Sequence, residues 1–178
     1  MPQVEYLTGD AIYKRVLTEL IPSAKDSLLI ATATLKATRV KTRDSAAESI
    51  VAVLARLARR GVEVRVLHSG VPSGPFREDL KSIEPGIFQM RRCLRTHFKA
   101  AIVDGQRLYL GSANLTGAGL GAKSARRRNF EAGLVSDDPI LVDRVGDLFE
   151  AIWSGAMCKK CDRLAFCPVP LESPWEEK

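Results

Sequence analysis

The dipeptide Asp104-Gly105 lies between two strand-like runs, His97 to Asp104 and Arg107 to Ser112. Asp-Gly in that setting is the strongest short-range hairpin signal, because both residues tolerate the left-handed backbone of a tight turn. An antiparallel pair is thereby set in the middle of a chain whose other segments alternate between helical and strand periods. Ile12, Val16, Leu17 and Leu20 recur at helical spacing, with Asp10 as a candidate cap and Pro22 beyond the end. Ser27 to Leu35 reads as a buried strand, and Lys36 to Asp44 as a polar, basic loop. A helix is predicted from about Ser45 to Arg60, with Ile50, Val51, Leu54 and Leu57 on one face and Gly61 as the stop. Val62, Val64 and Val66 alternate with Glu63 and Arg65, a strand pattern. Residues 69 to 86 are rich in Gly and Pro, with a short helix near Phe76 to Ser82.

Phe88 to Leu94 and Phe130 to Val135 are further strand candidates, the latter after a Gly-rich, then basic loop over 115 to 128. The last helix is predicted over Pro139 to Trp153, capped by Asp137 or Asp138, with Leu141, Val145, Leu148 and Ile152 facing inward. Helices interleaved with strands around a central hairpin predict an α/β fold, a mixed β-sheet flanked by helices. The expected division is one domain over 1–155 and a cysteine-containing tail over 156–178, since 178 residues suffice to bury one core.

No apolar run is long enough to span a bilayer, and the N-terminus has neither a basic start nor an apolar stretch of the secretory kind. The expectation is a cytoplasmic protein without a membrane partner. A net charge of +6 fits a polyanionic partner, and equally a basic solvated surface.

The segment that carries chemistry runs His97-Phe98-Lys99, then Asp104, then Gly111-Ser112-Ala113-Asn114. Alternation along a strand puts His97 and Lys99 on one face, and the antiparallel return brings Ser112 and Asn114 beside them. One small surface then offers a nucleophile or acid, a fixed positive charge, a hydroxyl and an amide, the groups that bind a phosphodiester and stabilise charge on its oxygens.

This HxK-x4-D-x6-GSxN pattern resembles the defining motif of the phospholipase D superfamily, with every fixed position met. The resemblance covers roughly residues 5 to 155 in layout and is sharp from His97 to about Glu131. It implies that His97 attacks phosphorus and forms a phosphohistidine. Lys99 and Asn114 would hold the non-bridging oxygens, and Ser112 would support the site. Glu131 matches the family carboxylate that orients the histidine, fixing its tautomer and raising its basicity. Asp104 belongs to the motif with a structural or supporting role. No catalytic divalent metal is implied. A second histidine is needed for the leaving oxygen, and the other one, His68, has no motif around it and reads as structural. Single-motif members of the family form a twofold dimer with one site at the interface, so a homodimer is expected.

The motif does not name the substrate. Arg91, Arg92 and Arg95 lead into His97, Lys123 with Arg126, Arg127 and Arg128 leads into Glu131, and Lys36, Arg39, Lys41 and Arg43 follow the first strand. Basic groups around the site suit a phosphate backbone, although each cluster alone reads equally as a solvated loop. Aromatics are 6% of the chain, without the apolar patch a lipid enzyme would show. The short length and single motif also resemble the small bacterial endonucleases of the superfamily. The leading expectation is a metal-independent DNA endonuclease. The alternatives are a lipid phosphodiesterase, or a nucleic-acid-binding subunit of a multi-protein defence system.

Cys158-x2-Cys161-x5-Cys167, followed by Pro168, is neither a disulfide nor a zinc-ribbon spacing. A C-x2-C turn lets two thiolates grip one metal site. The spacing resembles the C-terminal cysteines of iron–sulfur nucleases of the AddB and CRISPR-associated RecB type, which implies a [4Fe–4S] cluster, with zinc as the alternative. Cys93 is the candidate fourth ligand, or else a buried small hydrophobe. If the strand around it ran unbroken, it would share the parity of His97 at about 13 Å.

Overall fold

The computed structural model describes residues 1–41, 46–167 and 169–175. The expected α/β fold is present. A seven-stranded mixed sheet is built from β1 (Val4–Thr8), β2 (Ser27–Thr32), β5 (Glu63–His68), β6 (Gln89–Arg92), β7 (Lys99–Val103), β8 (Arg107–Gly111) and β9 (Ala132–Ser136). Their spatial order is β1-β9-β8-β7-β2-β5-β6. β2, β5 and β6 run parallel and the remaining pairs antiparallel. Two short strands pair apart from the sheet: β3 (Arg39–Val40) lies in the expected loop, but β4 (Glu48–Ser49) lies in what the sequence reads as the first turn of a helix, which begins only at Ile50 because Ser49 is extended and caps it, its Oγ accepting the Ala52 N–H at 3.1 Å. Arg43, Asp44, the helix start expected at Ser45, and Pro168 lie outside the described residues.

Alternation along the strands sorts side chains into two layers. Leu28, Ile30, Val64, Val66, Ala101 and Val103 bury on one face. That face is covered by α1 (Asp10–Ile12, continuing in π-helical turns over Tyr13–Leu20), α2 (Ile50–Arg59) and α3 (Gly74–Lys81). The other face carries Ala31, Leu67, Ala100 and Ile102 and is covered by α4 (Pro139–Trp153). Asp138 caps α4 by accepting from the Ile140 N–H.

Two local expectations are corrected. Asp10 does not cap α1: Gly9, with φ 58°, holds the cap position, and the Asp10 carboxylate pairs with Arg128 at 3.1 Å. On α4 the buried residues are Val142, Val145, Phe149 and Trp153, while Leu148 is 45% exposed. The apolar positions of that helix wrap widely, and Phe149 and Trp153 win the core side because they stack on each other at 5.5 Å with Arg65 over both rings.

The tail beyond α4 returns along the β6 edge. The Arg92 N–H donates to the Glu172 carbonyl at 2.9 Å, the side chains of the same pair form a salt bridge, and Trp175 Nε1 donates to the Phe88 carbonyl at 3.1 Å. An otherwise open strand edge is thereby covered. Among the described residues no helix is long and apolar enough to cross a membrane.

The hairpin forms where the sequence places it. Asp104 and Gly105 both take positive φ, 54° and 62°, and the Gln106 N–H closes the turn on the Val103 carbonyl at 3.0 Å. The Asp104 carboxylate accepts the N–H groups of Lys25, Asp26 and Ser27 at the entry to β2. Burial pushes its pKa up, but those backbone donors and nearby Arg107 outweigh it and hold the carboxyl below the usual range. Asp104→Ala should therefore lower unfolding free energy by about 1–3 kcal/mol in urea titration at neutral pH. Because the folded-state pKa is depressed, the wild-type advantage is present at neutral pH and fades as pH falls through that depressed value. Equal stability of the two proteins at neutral pH would contradict this role.

Candidate active site

The ends of four strands meet at one rim of the sheet. Lys99 opens β7, Gly111 closes β8, Ala132 opens β9 and Thr32 closes β2. The register sets Lys99 opposite Gly111, and Gly111 opposite Gly133. His97, Ser112, Asn114 and Glu131 all stand within a few residues of these ends, so the sheet itself assembles the motif.

Lys99 is buried at 7% exposure. Its ammonium meets the His97 ring Nδ1 at 3.3 Å and the His97 carbonyl. Among the described residues it forms no salt bridge. A buried cation without a carboxylate beside it is a costly arrangement that an incoming anion relieves. His97 is exposed beside it.

Asn114 is oriented from behind. Its Oδ1 accepts the N–H groups of Ala33 and Thr34 at 3.1 and 3.0 Å, which leaves Nδ2 as the end available to a ligand. Ser112 Oγ accepts the Ala132 N–H at 3.1 Å and donates to the Glu131 carboxylate. Glu131 also accepts from Asn129 Nδ2 at 3.1 Å. Within one chain its carboxylate is thus turned to Ser112 and Asn129 rather than to the His97 ring. Asp104, at the opposite end of β7, does not join this group; its work is the turn described above.

The basic residues divide. Arg91 donates to the Trp153 carbonyl and lies 4.7 Å over its ring, Arg92 pairs with Glu172, and Arg128 pairs with Asp10, so these three hold structure. Arg95 is exposed and its Nη1 lies 3.8 Å from Cys161 Sγ. Arg126 and Arg127 are exposed, as are Lys123, Lys36, Arg39 and Lys41. The two loops that carry them touch the Asn114 side of the rim. The Lys36 N–H donates to the Leu115 carbonyl at 3.1 Å, and the Cβ position of Gly117 is 3.8 Å from Lys123 and 4.0 Å from Thr38. The loops that carry Lys36 and Lys123 therefore pack beside the segment that follows Asn114, while the arginines before His97 face the tail and α4.

The other histidine, His68, is buried at the end of β5 with Nδ1 2.9 Å from the Gly70 carbonyl. Burial lowers its pKa, against the pull of that carbonyl. It stands at the same end of the sheet, paired in register with Thr32, but is only 1% exposed. The two strand candidates on either side of Leu94 are separate strands, so the condition of an unbroken strand from Cys93 to His97 is not met: β6 lies at the sheet edge beyond β5 and β2, and the chain turns between Cys93 and Thr96 to reach β7, through a 2.9 Å hydrogen bond from the Thr96 N–H to the Cys93 carbonyl. Cys93 and His97 nonetheless line the same open groove of about 280 Å³, with Phe98 and Ile152.

The four cysteines are free and line a second cavity together. Burial raises the Cys167 thiol pKa, and neighbouring Cys93, Cys158 and Cys161 add to the effect. The Cys161 thiol is lowered by the Arg163 N–H and by Arg95.

A sequence model of the family described as "Cardiolipin synthase, PLD-like domain" matches residues 17–153. The chain belongs to the phospholipase D-like family. The cysteine tail lies beyond the matched span. No curated protein matches the chain. Among solved structures, Nuc from Salmonella typhimurium, a phospholipase D family member, is similar at TM-score 0.66 and 21% identity, over 86% of this chain and 95% of that one. NucT from Helicobacter pylori is similar at TM-score 0.62 and 18% identity, over 84% and 94%. TrmBL2, an archaeal chromatin protein with a novel mode of DNA binding, is similar at TM-score 0.55 and 14% identity, over 85% of this chain and 52% of that one. At these identities the solved structures establish the fold. With its motif intact, this phospholipase D-like chain is a phosphodiester hydrolase.

Tyr109 is a residue the sequence reading missed. Its ring fills the space left by Gly111 and Gly133: a Cβ on Gly111 would stand 2.6 Å from the Tyr109 hydroxyl, and one on Gly133 2.6 Å from the ring. Burial, with Glu131 nearby, pushes the phenol up to about 12 against a backbone N–H at Ala113. Tyr109 thus packs under the rim as a neutral phenol. Glycine inside two adjacent strands signals such close packing and was the available clue. Gly133→Ala should cost about 1–3 kcal/mol in denaturant unfolding, because buried ring and backbone must both shift. A variant as stable as wild type would show that the ring is not wedged there.

Proposed function

We propose that the chain is a metal-independent phosphodiesterase that cleaves nucleic acid, DNA foremost, through a phosphohistidine at His97, in a site completed by a second copy. The observation that carries this reading is the buried ammonium of Lys99, without a salt bridge among the described residues, next to the exposed His97 ring, with the Asn114 amide held at the same rim through its oxygen. The three groups match what a phosphodiester requires: a nucleophile at phosphorus and two donors for its non-bridging oxygens.

In the first step His97 Nε2 forms a bond to phosphorus, the P–O bond to one nucleoside breaks, and the leaving oxygen takes a proton. In the second step water replaces the histidine, giving up its proton as the P–N bond breaks. Nε2 attacks only if the ring proton sits on Nδ1. The Lys99 contact at Nδ1 must then give way to an acceptor, the role expected of Glu131. The proton donor and acceptor is the His97 of the second copy. The chain has two histidines, and the buried position of His68 supports that assignment. A homodimer whose twofold axis passes near His97 satisfies the requirement.

Nucleic acid is favoured by the exposed cations of the 36–41 and 123–127 loops beside Asn114, and by Phe130, which stands fully exposed between this basic loop and Glu131 as a stacking surface for bases.

Wild type should cleave single- or double-stranded DNA in excess EDTA, and His97→Ala should lose that activity by at least about a thousandfold while remaining folded and dimeric. Cleavage retained by the variant would overturn the mechanism. No cleavage by intact wild type, with choline or phosphatidate released from vesicles, would move the substrate to lipid; DNA binding without turnover would make the chain a binding subunit. Asn114→Asp keeps the acceptor for Ala33 and Thr34 but replaces the outward donor by an anion. It should keep the wild-type melting temperature and reduce cleavage by about 10²–10³-fold.

A further inference from the structure

Four thiols that phosphodiester hydrolysis does not use converge on one cavity. Cys93 follows β6, and Cys158, Cys161 and Cys167 come from the tail. All four line a single space with Arg95 and Leu171 among its other walls. Short turns bring them there. Gly155 takes φ 77°, and its Cβ position is 3.9 Å from Cys158 Sγ. The Cys158 N–H donates to the Gly155 carbonyl at 2.9 Å, the Cys161 N–H to the Cys158 carbonyl at 3.0 Å, and the Cys167 N–H to the Leu164 carbonyl at 3.2 Å.

This segment has almost no core of its own. Met157, Leu164 and Phe166 are 49%, 47% and 77% exposed, and the single turn of helix over Leu164–Phe166 buries no residue. A run of tight turns without buried apolar side chains needs another source of order, and metal ligation supplies it in small segments of this kind. The cysteines are free, so disulfides do not supply it.

We propose that Cys93, Cys158, Cys161 and Cys167 together hold one soft-metal centre, an iron–sulfur cluster or a zinc ion. Four thiolates suit either. Each thiol releases its proton to solvent on ligation. Among the described residues no three ligands stand close enough for a single ion, so zinc would have to draw the sulfurs inward. A cluster, which carries its own sulfides, spans a wider set of thiolates than a single ion does. Arg95, 3.8 Å from Cys161 Sγ, is placed to donate to a ligating sulfur and offset the added negative charge.

The centre would act on the site through the chain. Cys93 begins the turn that ends at Thr96, one residue before His97, and Cys93, Cys158 and Cys161 also line the groove that holds His97. Ligating Cys93 thereby clamps the tail to the segment that presents His97. The role is positional, since hydrolysis exchanges no electrons.

The test is metal and acid-labile sulfide analysis of the full-length protein purified without oxygen, with its visible absorption spectrum. Iron and sulfide at about four each per chain with broad visible absorption identifies a cluster, and about one zinc per chain in colourless protein identifies a zinc site; either supports the four-thiolate centre. Cys158→Ser with Cys161→Ser should abolish the metal content, Cys93→Ala should lower it, and His97→Ala should leave it unchanged. Wild-type protein, folded by circular dichroism, that carries no metal and takes up neither zinc nor iron with sulfide would overturn the proposal. Full metal content in Cys93→Ala would overturn its fourth ligand. Because wild-type metal content is itself decisive, the test stands even if a cysteine variant fails to fold.

Discussion

The Asp104 carboxylate, accepting three backbone N–H groups at the entry to β2, anchors the hairpin on which the candidate active-site rim is built. β7 lies between β2 and β8, so a slip at the turn would shift Lys99 against Gly111 and against the end of β2 together. A one-residue slip would turn every side chain of the strand to the opposite face. The motif aspartate is therefore distant from the proposed chemistry yet fixes its geometry: it sets the register at one end of the strand, and the groups proposed to bind phosphate appear at the other.

Electrostatics then gives the rim its character. Lys99 is buried without a countercharge, and Asn114 has its carbonyl oxygen satisfied from behind by Ala33 and Thr34. Both groups are ordered before a ligand arrives, which is how a site stabilises charge without reorganising during reaction. The exposed cations lie in the loops on the Asn114 side, whereas Arg91, Arg92 and Arg128 are committed to Trp153, Glu172 and Asp10. The field that would guide a polyanion is thus less spread around the rim than the sequence suggests.

Much of this was legible in the sequence because local signals agreed with the final fold. The Asp104-Gly105 turn, the α2 face of Ile50, Val51, Leu54 and Leu57, and the span of α4 all follow from turn chemistry and period. β1 was not legible: it is an edge strand with Val4 and Tyr6 exposed, and its pairing with β9 is a long-range event that no local pattern announces. The inward face of α4 was read correctly at Val145 and, in part, at Leu141 and Ile152, but Leu148 is exposed because apolar residues occupy more than one side and the stacked Phe149 and Trp153 take the core. At the candidate site, the spacing brings His97, Lys99, Ser112 and Asn114 to neighbouring strand ends, and the structure has them there. Tyr109 and the backbone grip on Asn114 were missed because they depend on contacts across the sheet. The committed arginines were missed for a related reason: a charge run does not reveal its partners, and Asp10 and Glu172 are far from theirs in sequence.

The central claim is that cleavage proceeds through a covalent bond between His97 and phosphorus. Two successive displacements at phosphorus restore the starting configuration, whereas direct attack by water inverts it. The decisive measurement is the stereochemical course of hydrolysis of a DNA phosphorothioate of single configuration, cleaved by the purified protein in oxygen-labelled water. Retention at phosphorus is the predicted result. Inversion would contradict the account, because it would leave His97 no role as nucleophile.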